Sequence, residues 1–80
     1  MPADLRALTE ELAKALTEAP EQVQVEARED GRGVQLDLTV AESDMGRIIG
    51  KSGRTARALR TIVYAAGARD EKRVSLDILE

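Results

Sequence analysis

Two glycines, Gly50 and Gly53, separate two stretches of helical character in the second half of the chain. A short helix running to about Ile49 ends at the first glycine and a longer one begins at about Arg54, so the chain turns sharply between them. Glycines leave the backbone amides of such a turn uncovered, at the positive end of the helix that follows. The turn therefore either serves only to reverse the chain or also holds an anion.

Basic residues are concentrated around this turn. The segment from Met45 to Arg69 contains six basic residues and no acidic one, whereas the rest of the chain holds six basic and all fifteen acidic residues. The segment thus has a net charge of +6 and the rest of the chain a net charge of −9, which gives −3 for the whole chain. This distribution favours a polyanion as the ligand of the turn. The six basic residues are Arg47, Lys51, Arg54, Arg57, Arg60 and Arg69.

Length and composition limit the possible function classes. Residues 1–80 form one domain, whose core supplies only about 3–5 kcal/mol, so self-association or a partner would add stability. The absence of both Cys and His removes disulfides, thiolate metal sites and the commonest general base, so we predict neither an enzyme nor a bound metal or cofactor. The longest mainly apolar run, residues 62–67, is far shorter than the roughly 20 residues of a membrane span, and the N-terminus lacks a signal pattern. We expect a cytoplasmic protein.

The chain begins with an amphipathic pattern. Apolar residues at spacings of three and four, with charged residues between them, predict a helix over residues 4–18. Asp4 is its predicted N-cap, and Pro20 prevents the helix from continuing. The residues of the apolar stripe are Leu5, Leu8, Leu12 and Leu16.

Two strands follow. Alternating apolar residues predict strands over residues 23–27 and 34–40, and the Asp30-Gly31 pair predicts positive φ angles in the tight connection between them. The outward faces of both strands are polar and carry no aromatic side chain. RNA-binding sheets stack bases on aromatic residues, so this sheet surface is a poor candidate for RNA binding.

The second half of the chain predicts two helices and a strand. Ser43 or Asp44 can cap the short helix that ends near Ile49, and the longer helix from about Arg54 to Ala66 ends at a C-capping Gly67. Alternation over residues 74–78 predicts the last strand. In the short helix, we expect Met45, Ile48 and Ile49 to face the sheet; in the longer one, Thr55, Ala56, Leu59, Ile62, Val63 and Ala66 form the apolar side.

The predicted order of elements is α-β-β-α-α-β. A hairpin makes the first two strands antiparallel, whereas the two-helix connection to the last strand favours a parallel, right-handed crossover. We therefore expect an α+β fold with a three-stranded mixed sheet, one face of which is covered by all three helices.

The sequence of the turn matches neither of two common nucleotide-binding motifs. A P-loop needs four residues between its first glycine and the Gly-Lys pair, but Gly46 and Gly50 enclose three, and the loop follows a helix instead of a strand. A dinucleotide fingerprint would need a glycine at position 48, where Ile48 stands.

In its helical context, the segment Ile48–Gly53, with the sequence IIGKSG, resembles the G-x-x-G loop of KH domains. The order of elements is similar to the type II KH arrangement, and the length is similar to that of the stand-alone bacterial KH proteins of the KhpA (YlqC) family. In KH domains this loop clamps the backbone of about four single-stranded nucleotides beside a groove for the bases. The resemblance implies single-stranded RNA binding, self-association as a homodimer, and pairing with a larger KH-containing protein of the KhpB type in RNA-chaperone or post-transcriptional roles.

Transferred by position, the resemblance implies a set of RNA-binding residues. Gly50 and Gly53 keep the turn bare, so that phosphates approach the amides of Lys51, Ser52 and Gly53. The Lys51 side chain supplies a charge and the Ser52 side chain a donor. Arg54 and Arg57 continue the phosphate track, Ile49 lies beneath the bases and Arg47 flanks the site. Arg32 in the hairpin is a weaker candidate beside the acidic Glu29 and Asp30. Gly46 is expected to be structural.

Other roles remain open for several of these residues. Ile48 and Ile49 suit a core as well as a groove, and Arg60 and Arg69 suit a solvated surface or ion pairs better than an RNA contact. Tyr64 is the only aromatic residue and lies about 15 Å along the helix from the turn, which favours a dimer contact or a half-buried surface position over base stacking. The alternative function is a KH-scaffold adaptor or dimerisation module that binds a protein and has little affinity for RNA.

Overall fold

The computed structural model describes residues 4–79. Its elements follow the predicted order α-β-β-α-α-β. They are α1 (Leu5–Leu16), β1 (Gln24–Glu29), β2 (Gly33–Thr39), α2 (Met45–Ile49), α3 (Arg54–Arg69) and β3 (Arg73–Ile78), with 3₁₀ turns at Pro20–Gln22, Glu42–Asp44 and Lys51–Gly53.

The sheet is mixed, as predicted. Its strand order is β1-β2-β3, with β1 antiparallel to β2 and β2 parallel to β3. The central residue Leu36 lies opposite Ala27 on one side and Leu76 on the other. Helices α1 and α3 pack on one face, α2 packs against α3, and the other face carries polar side chains. This arrangement confirms the expected α+β fold.

The core lies between the sheet and the helices. Its largest apolar side chains come from the middle of the central and third strands and from α2 and α3, and each is at least 98% removed from solvent. Burial of these groups is the main favourable contribution to folding. They are Leu36, Leu38, Leu76, Ile48, Leu59 and Val63.

Helix α1 begins as predicted but presents a different stripe to the core. The Asp4 carboxylate caps it by accepting a hydrogen bond of 3.0 Å from the Ala7 N–H. The buried row is Leu5, Thr9 and Ala13, whereas Leu16, predicted to be in the stripe, is 41% exposed. Thr9 tolerates full burial because its hydroxyl donates to the Leu5 carbonyl at 2.7 Å.

The hairpin turn uses a side chain where we predicted positive φ angles. Among residues 4–79, positive φ occurs at positions 50, 52, 53 and 71, so the prediction for the Asp30-Gly31 pair was wrong. Asp30 Oδ1 instead accepts hydrogen bonds from the N–H groups of Arg32, at 2.7 Å, and Gly33, at 3.0 Å. The Asp30 N–H donates to the Gly33 carbonyl at 3.0 Å, which closes the four-residue turn.

Helix α3 passes through Gly67, which was predicted to end it. The helix continues to Arg69, and Gly67 is buried within it. A Cβ at this position would lie 2.2 Å from Val74 Cγ2 on β3, so the glycine allows the helix and the strand to approach closely. The left-handed residue after the helix is Glu71, with φ 58°.

Candidate functional site

The site starts at α2, which has five residues and ends at Gly50. Ile48 is completely buried, and Met45 is half-buried, as expected for residues facing the sheet. Ile49 does not face the sheet: it is 42% exposed and lines a depression of about 450 Å³ with Val40 and Met45. The helix thus holds one isoleucine in the core and presents the next one to solvent.

Asp44 precedes α2 but does not cap it. Its side chain makes no capping hydrogen bond to α2 and is only 1% exposed. Its two carboxylate oxygens accept hydrogen bonds of 3.0 Å from the N–H groups of Glu18 and Ala19. The capping prediction for Ser43 or Asp44 was therefore wrong. These donors lie some 25 residues away in sequence, so a local pattern could not reveal the contact.

The GKSG loop, residues Gly50–Gly53, has an unusual backbone. The φ angles of Gly50 and Gly53 are both +74°, and Ser52 between them has φ 57°. A Cβ on Gly50 would lie 2.2 Å from Thr55 Oγ1, whereas one on Gly53 would meet nothing within 4 Å. Gly50 is therefore required by both conformation and space, and Gly53 by conformation alone.

Backbone hydrogen bonds hold the loop in shape. The Gly50 N–H donates to the Gly46 carbonyl at 2.8 Å, and the Gly53 N–H donates to the Gly50 carbonyl at 3.1 Å. The N–H of Arg54 donates to the Lys51 carbonyl. The Gly53 amide, predicted to face an anion, is therefore engaged within the loop, while the side chains of Lys51 and Ser52 are exposed.

Three basic residues in or next to the loop have no carboxylate partner among the described residues. Lys51, Arg54 and Arg57 are exposed, and none forms an ion pair within the part of the chain that the structure describes. Arg54 and Arg57 lie one turn apart on α3 and line the same depression on its surface. These three residues form an uncompensated positive edge.

Arg47 and Arg60, in contrast to these three residues, have polar partners within the protein. Arg47 pairs with the Glu18 carboxylate, and its Nε lies 3.4 Å from Asp44 Oδ1. Arg60 Nε donates to the Leu76 carbonyl at 3.0 Å, so it is tied to the edge strand. Both side chains are thus occupied within the protein.

The remaining candidates lie away from the loop. Arg32 is in the hairpin turn, next to the start of β3, where α3 ends. The loop lies at the other end of α3, which is 16 residues or roughly 24 Å long, so the structure does not bring Arg32 to the site. Tyr64, with 40% of its surface exposed, lies ten residues along α3 from Arg54.

No helix within residues 4–79 combines the length and apolar character needed to cross a bilayer. The same residues contain no group of three or more potential metal-binding side chains in a suitable arrangement.

Comparison with known families decides what kind of domain this is. The family model described as KhpA/KhpB, KH domain matches residues 6–78, which is nearly the whole chain. The chain belongs to the KhpA/KhpB KH-domain family. The resemblance inferred from the IIGKSG segment is therefore confirmed, and the α-β-β-α-α-β fold is the type II KH fold.

Relatives of this KH domain match over their full length or close to it. A protein of Halalkalibacterium halodurans named RNA-binding protein KhpA is 45% identical over 76 residues, covering 95% of this chain and 100% of the relative. Proteins of the same name from Clostridium acetobutylicum and Listeria monocytogenes are 41% and 42% identical, covering 94% and 86% of this chain and 100% and 91% of the relatives. No solved structure matches the chain.

Proposed function

We propose that this protein binds single-stranded RNA without catalysing a reaction, and that the GKSG loop clamps the RNA backbone. The family and the name of its relatives, RNA-binding protein KhpA, support the ligand class. The observation that carries the proposal is the set of exposed cations that have no carboxylate partner among residues 4–79, Lys51, Arg54 and Arg57, at a loop that two glycines keep bare. A phosphate chain is the ligand that this charge and this exposed backbone suit.

Each loop residue has a role in this clamp. We assign the N–H groups of Lys51 and Ser52 to the phosphate, since the Gly53 N–H already donates to the Gly50 carbonyl. The Lys51 ammonium adds a point charge and the Ser52 hydroxyl adds a donor. With Arg54 and Arg57 the clamp neutralises three or four phosphates, for which log K is expected to fall with log salt at a slope of roughly −2 to −3.

The bases lie in the depression beside α2. Ile49 and Met45 form its apolar wall with Val40. No aromatic residue is available there for stacking, since Tyr64 is the only one in the chain. Affinity is therefore expected to be about micromolar with a loose sequence preference.

The open face of the sheet is unsuited to RNA. Three carboxylates lie in register across its strands, because Glu26 pairs with Asp37 and Asp37 pairs with Asp77. Arg28 pairs with Asp37 at 3.0 Å and neutralises part of this row, but the other two carboxylates still repel a polyanion. The basic segment around the loop is the more favourable surface for RNA.

Self-association supplies the affinity that a single clamp lacks. An apolar depression of about 370 Å³ lies between α1 and α3, and two of its lining residues are large and exposed: Leu16 at 41% and Ile62 at 48%. Two copies packed about a twofold axis would cover this apolar face on both, so we propose a homodimer through it. Joining two clamps raises avidity without new contacts.

The physiological role follows from these properties. A weak, non-specific clamp acting as a dimer suits an RNA chaperone or post-transcriptional regulator in the cytoplasm. Within this proposal, a larger KH-containing RNA-binding protein of the KhpB type is the second candidate partner, because the family model covers both KhpA and KhpB.

Replacing Lys51 and Ser52 together with Asp tests the clamp. We expect the double variant to keep its helical content by circular dichroism and to lose single-stranded RNA binding by at least tenfold. A matched control, Arg32→Asp with Ser75→Asp, changes the net charge by the same amount away from the loop. Equal losses in both variants would indicate a response to net charge alone and overturn the clamp. If the parent does not bind RNA even at low salt, the protein is instead the adaptor described above.

The dimer is tested separately by sedimentation. Leu16→Asp is expected to convert the dimer to a monomer and to weaken RNA binding, whereas the exposed control Gln22→Asp is expected to do neither. If the parent is monomeric at high concentration, but binds a KhpB-type protein in a manner that Leu16→Asp abolishes, the face serves the heteromeric partner.

A further inference from the structure

Asp44 is the one charged side chain in the interior of the part of the chain that the structure describes. It lies directly before α2, and α2 leads directly into the GKSG loop. We propose that Asp44 is a positioning residue for RNA binding: it fixes α2, and with it the loop, against the segment that follows α1. The inference rests on the proposed function of that loop.

The contacts of Asp44 use both of its oxygens. Oδ1 accepts from the Glu18 N–H and Oδ2 accepts from the Ala19 N–H, each at 3.0 Å. Arg47 adds a third contact from the exposed side, with Nε 3.4 Å from Oδ1, and also pairs with the Glu18 carboxylate. One carboxylate therefore holds two consecutive backbone amides and one side chain of α2. Hydrogen bonds to an ionised acceptor are among the stronger ones in proteins.

Helix α2 needs such an external anchor. Five residues are too few for a helix to be stable on its own, and the side chain of its N-cap residue, Asp44, makes no capping hydrogen bond to it. Ile48 is its one fully buried residue, and it fixes the depth of the helix against the core. The half-buried Met45 adds only a partial core contact beside Ile48, so Asp44 supplies a polar fixed point that resists tilting of the helix.

A tilt of α2 would displace the loop directly. The helix is about 7.5 Å long, so a tilt of roughly 10° moves its end by about 1 Å. Binding constellations tolerate displacements of only about 0.5 Å before affinity falls. The orientation of Lys51 and Ser52 toward a phosphate thus depends on a carboxylate that does not itself contact RNA.

A role in positioning differs from a role in stability alone. A residue that only stabilises the fold leaves the dissociation constant unchanged as long as the variant is fully folded. A positioning residue raises the dissociation constant of the folded variant and shifts the loop. The test therefore compares Asp44→Asn with a variant that is destabilised elsewhere.

Asp44→Asn keeps the size of the side chain and one acceptor oxygen, but turns a donor toward one of the two amides. We expect its dissociation constant for a single-stranded RNA oligonucleotide to rise about fivefold under conditions where circular dichroism shows a folded protein. The amide NMR signals of Gly50 and Gly53 are expected to shift in the free protein. The control is Leu5→Ala, which opens a cavity at the far end of α1 and is expected to lower the melting temperature without changing either readout.

Arg47→Gln provides a second variant should Asp44→Asn fail to fold. It removes the ion pairs with Asp44 and Glu18 but leaves the two buried hydrogen bonds in place. Its dissociation constant is expected to rise about twofold, with the same shift of the Gly50 and Gly53 signals.

Parental affinity in a folded Asp44→Asn variant overturns the inference, as does an equal loss of affinity in Leu5→Ala. The Lys51→Asp, Ser52→Asp double variant, measured alongside, separates this outcome from a failure of the clamp. If that variant loses RNA binding and Asp44→Asn does not, the clamp stands and the positioning role is wrong. If neither loses it, the clamp itself is wrong.

Discussion

Gly50 lies so close to Thr55 that a Cβ built on the glycine would be 2.2 Å from the threonine hydroxyl oxygen and 2.7 Å from its Cβ. The φ angle of +74° adds a second constraint at the same position. Gly50→Ala therefore combines a steric collision with a left-handed backbone, each costing roughly 1–3 kcal/mol. A domain of this size has a net stability of only about 3–5 kcal/mol, so we expect Gly50→Ala to be largely unfolded in thermal and urea denaturation.

Gly53→Ala is the matched comparison. Gly53 has the same φ angle, but a Cβ there meets nothing within 4 Å, so only the backbone strain of about 1–2 kcal/mol applies. We expect a folded protein with a lowered melting temperature. If the two alanine variants are equally stable, the contact with Thr55 is not what requires glycine at position 50.

The salt dependence of RNA binding distinguishes Arg57 from Arg47. Arg57 is exposed and has no ion pair with any described residue, whereas Arg47 is held by the Glu18 and Asp44 carboxylates. We expect Arg57→Gln to reduce the magnitude of the slope of log K against log salt by about 0.7, the value for one phosphate contact on a single strand. Arg47→Gln is expected to leave the slope unchanged.

The measurement is a series of titrations with one oligonucleotide at several salt concentrations. An unaltered slope for Arg57→Gln would remove Arg57 from the clamp. A slope reduced by Arg47→Gln would instead show that Arg47, which the family resemblance places at the flank of the site, contacts a phosphate.

The sequence was sufficient to predict the elements and their order. Strand alternation identified Leu36 and Leu76 as inward-facing, and the interrupted helical pattern located the Gly50–Gly53 turn. These signals are local, because they depend on periods of two or 3.6 residues within one element. The type II KH fold followed from that order together with one short motif.

Two of the failed predictions, at Gly67 and Asp44, depend on contacts between elements. Gly67 resembled a helix C-cap, but the adjacent Val74 on β3 explains why it is glycine. Asp44 resembled an N-cap, but its partners are the amides of Glu18 and Ala19. A helix terminus and a close approach use the same residue types, so only the packed structure separates them.

The contact between Gly67 and Val74 can be measured by a double-mutant cycle. Gly67→Ala places a methyl group 2.2 Å from Val74 Cγ2, so we expect it to destabilise the fold by about 1–3 kcal/mol despite the higher helix propensity of alanine. In a Val74→Ala background the same change is expected to cost much less, because Cγ2 is absent. The quantity to compare is the free energy of unfolding of the four proteins in urea. If Gly67→Ala stabilises the parent, Gly67 is not a packing glycine.

The Asp30 turn predicts a specific effect of pH on stability. Hydrogen bonds from the N–H groups of Arg32 and then Gly33 lower the pKa of the Asp30 carboxyl below its ordinary value of 3.8. Because the folded-state pKa is the lower one, the ionised carboxylate stabilises the fold above the ordinary value, and this contribution is lost as pH falls through the lowered pKa.

Asp30→Asn keeps an acceptor oxygen in the turn but cannot titrate. We therefore expect the parent to be more stable than this variant near about pH 7 and the difference to shrink toward about pH 3, as measured by urea midpoints across that range. Glu10, whose pKa is also lowered through its bonds to Arg6 and Lys14, is present in both proteins, so its contribution cancels in the difference. A difference that stays constant with pH would show that the Asp30 charge contributes nothing to the hairpin.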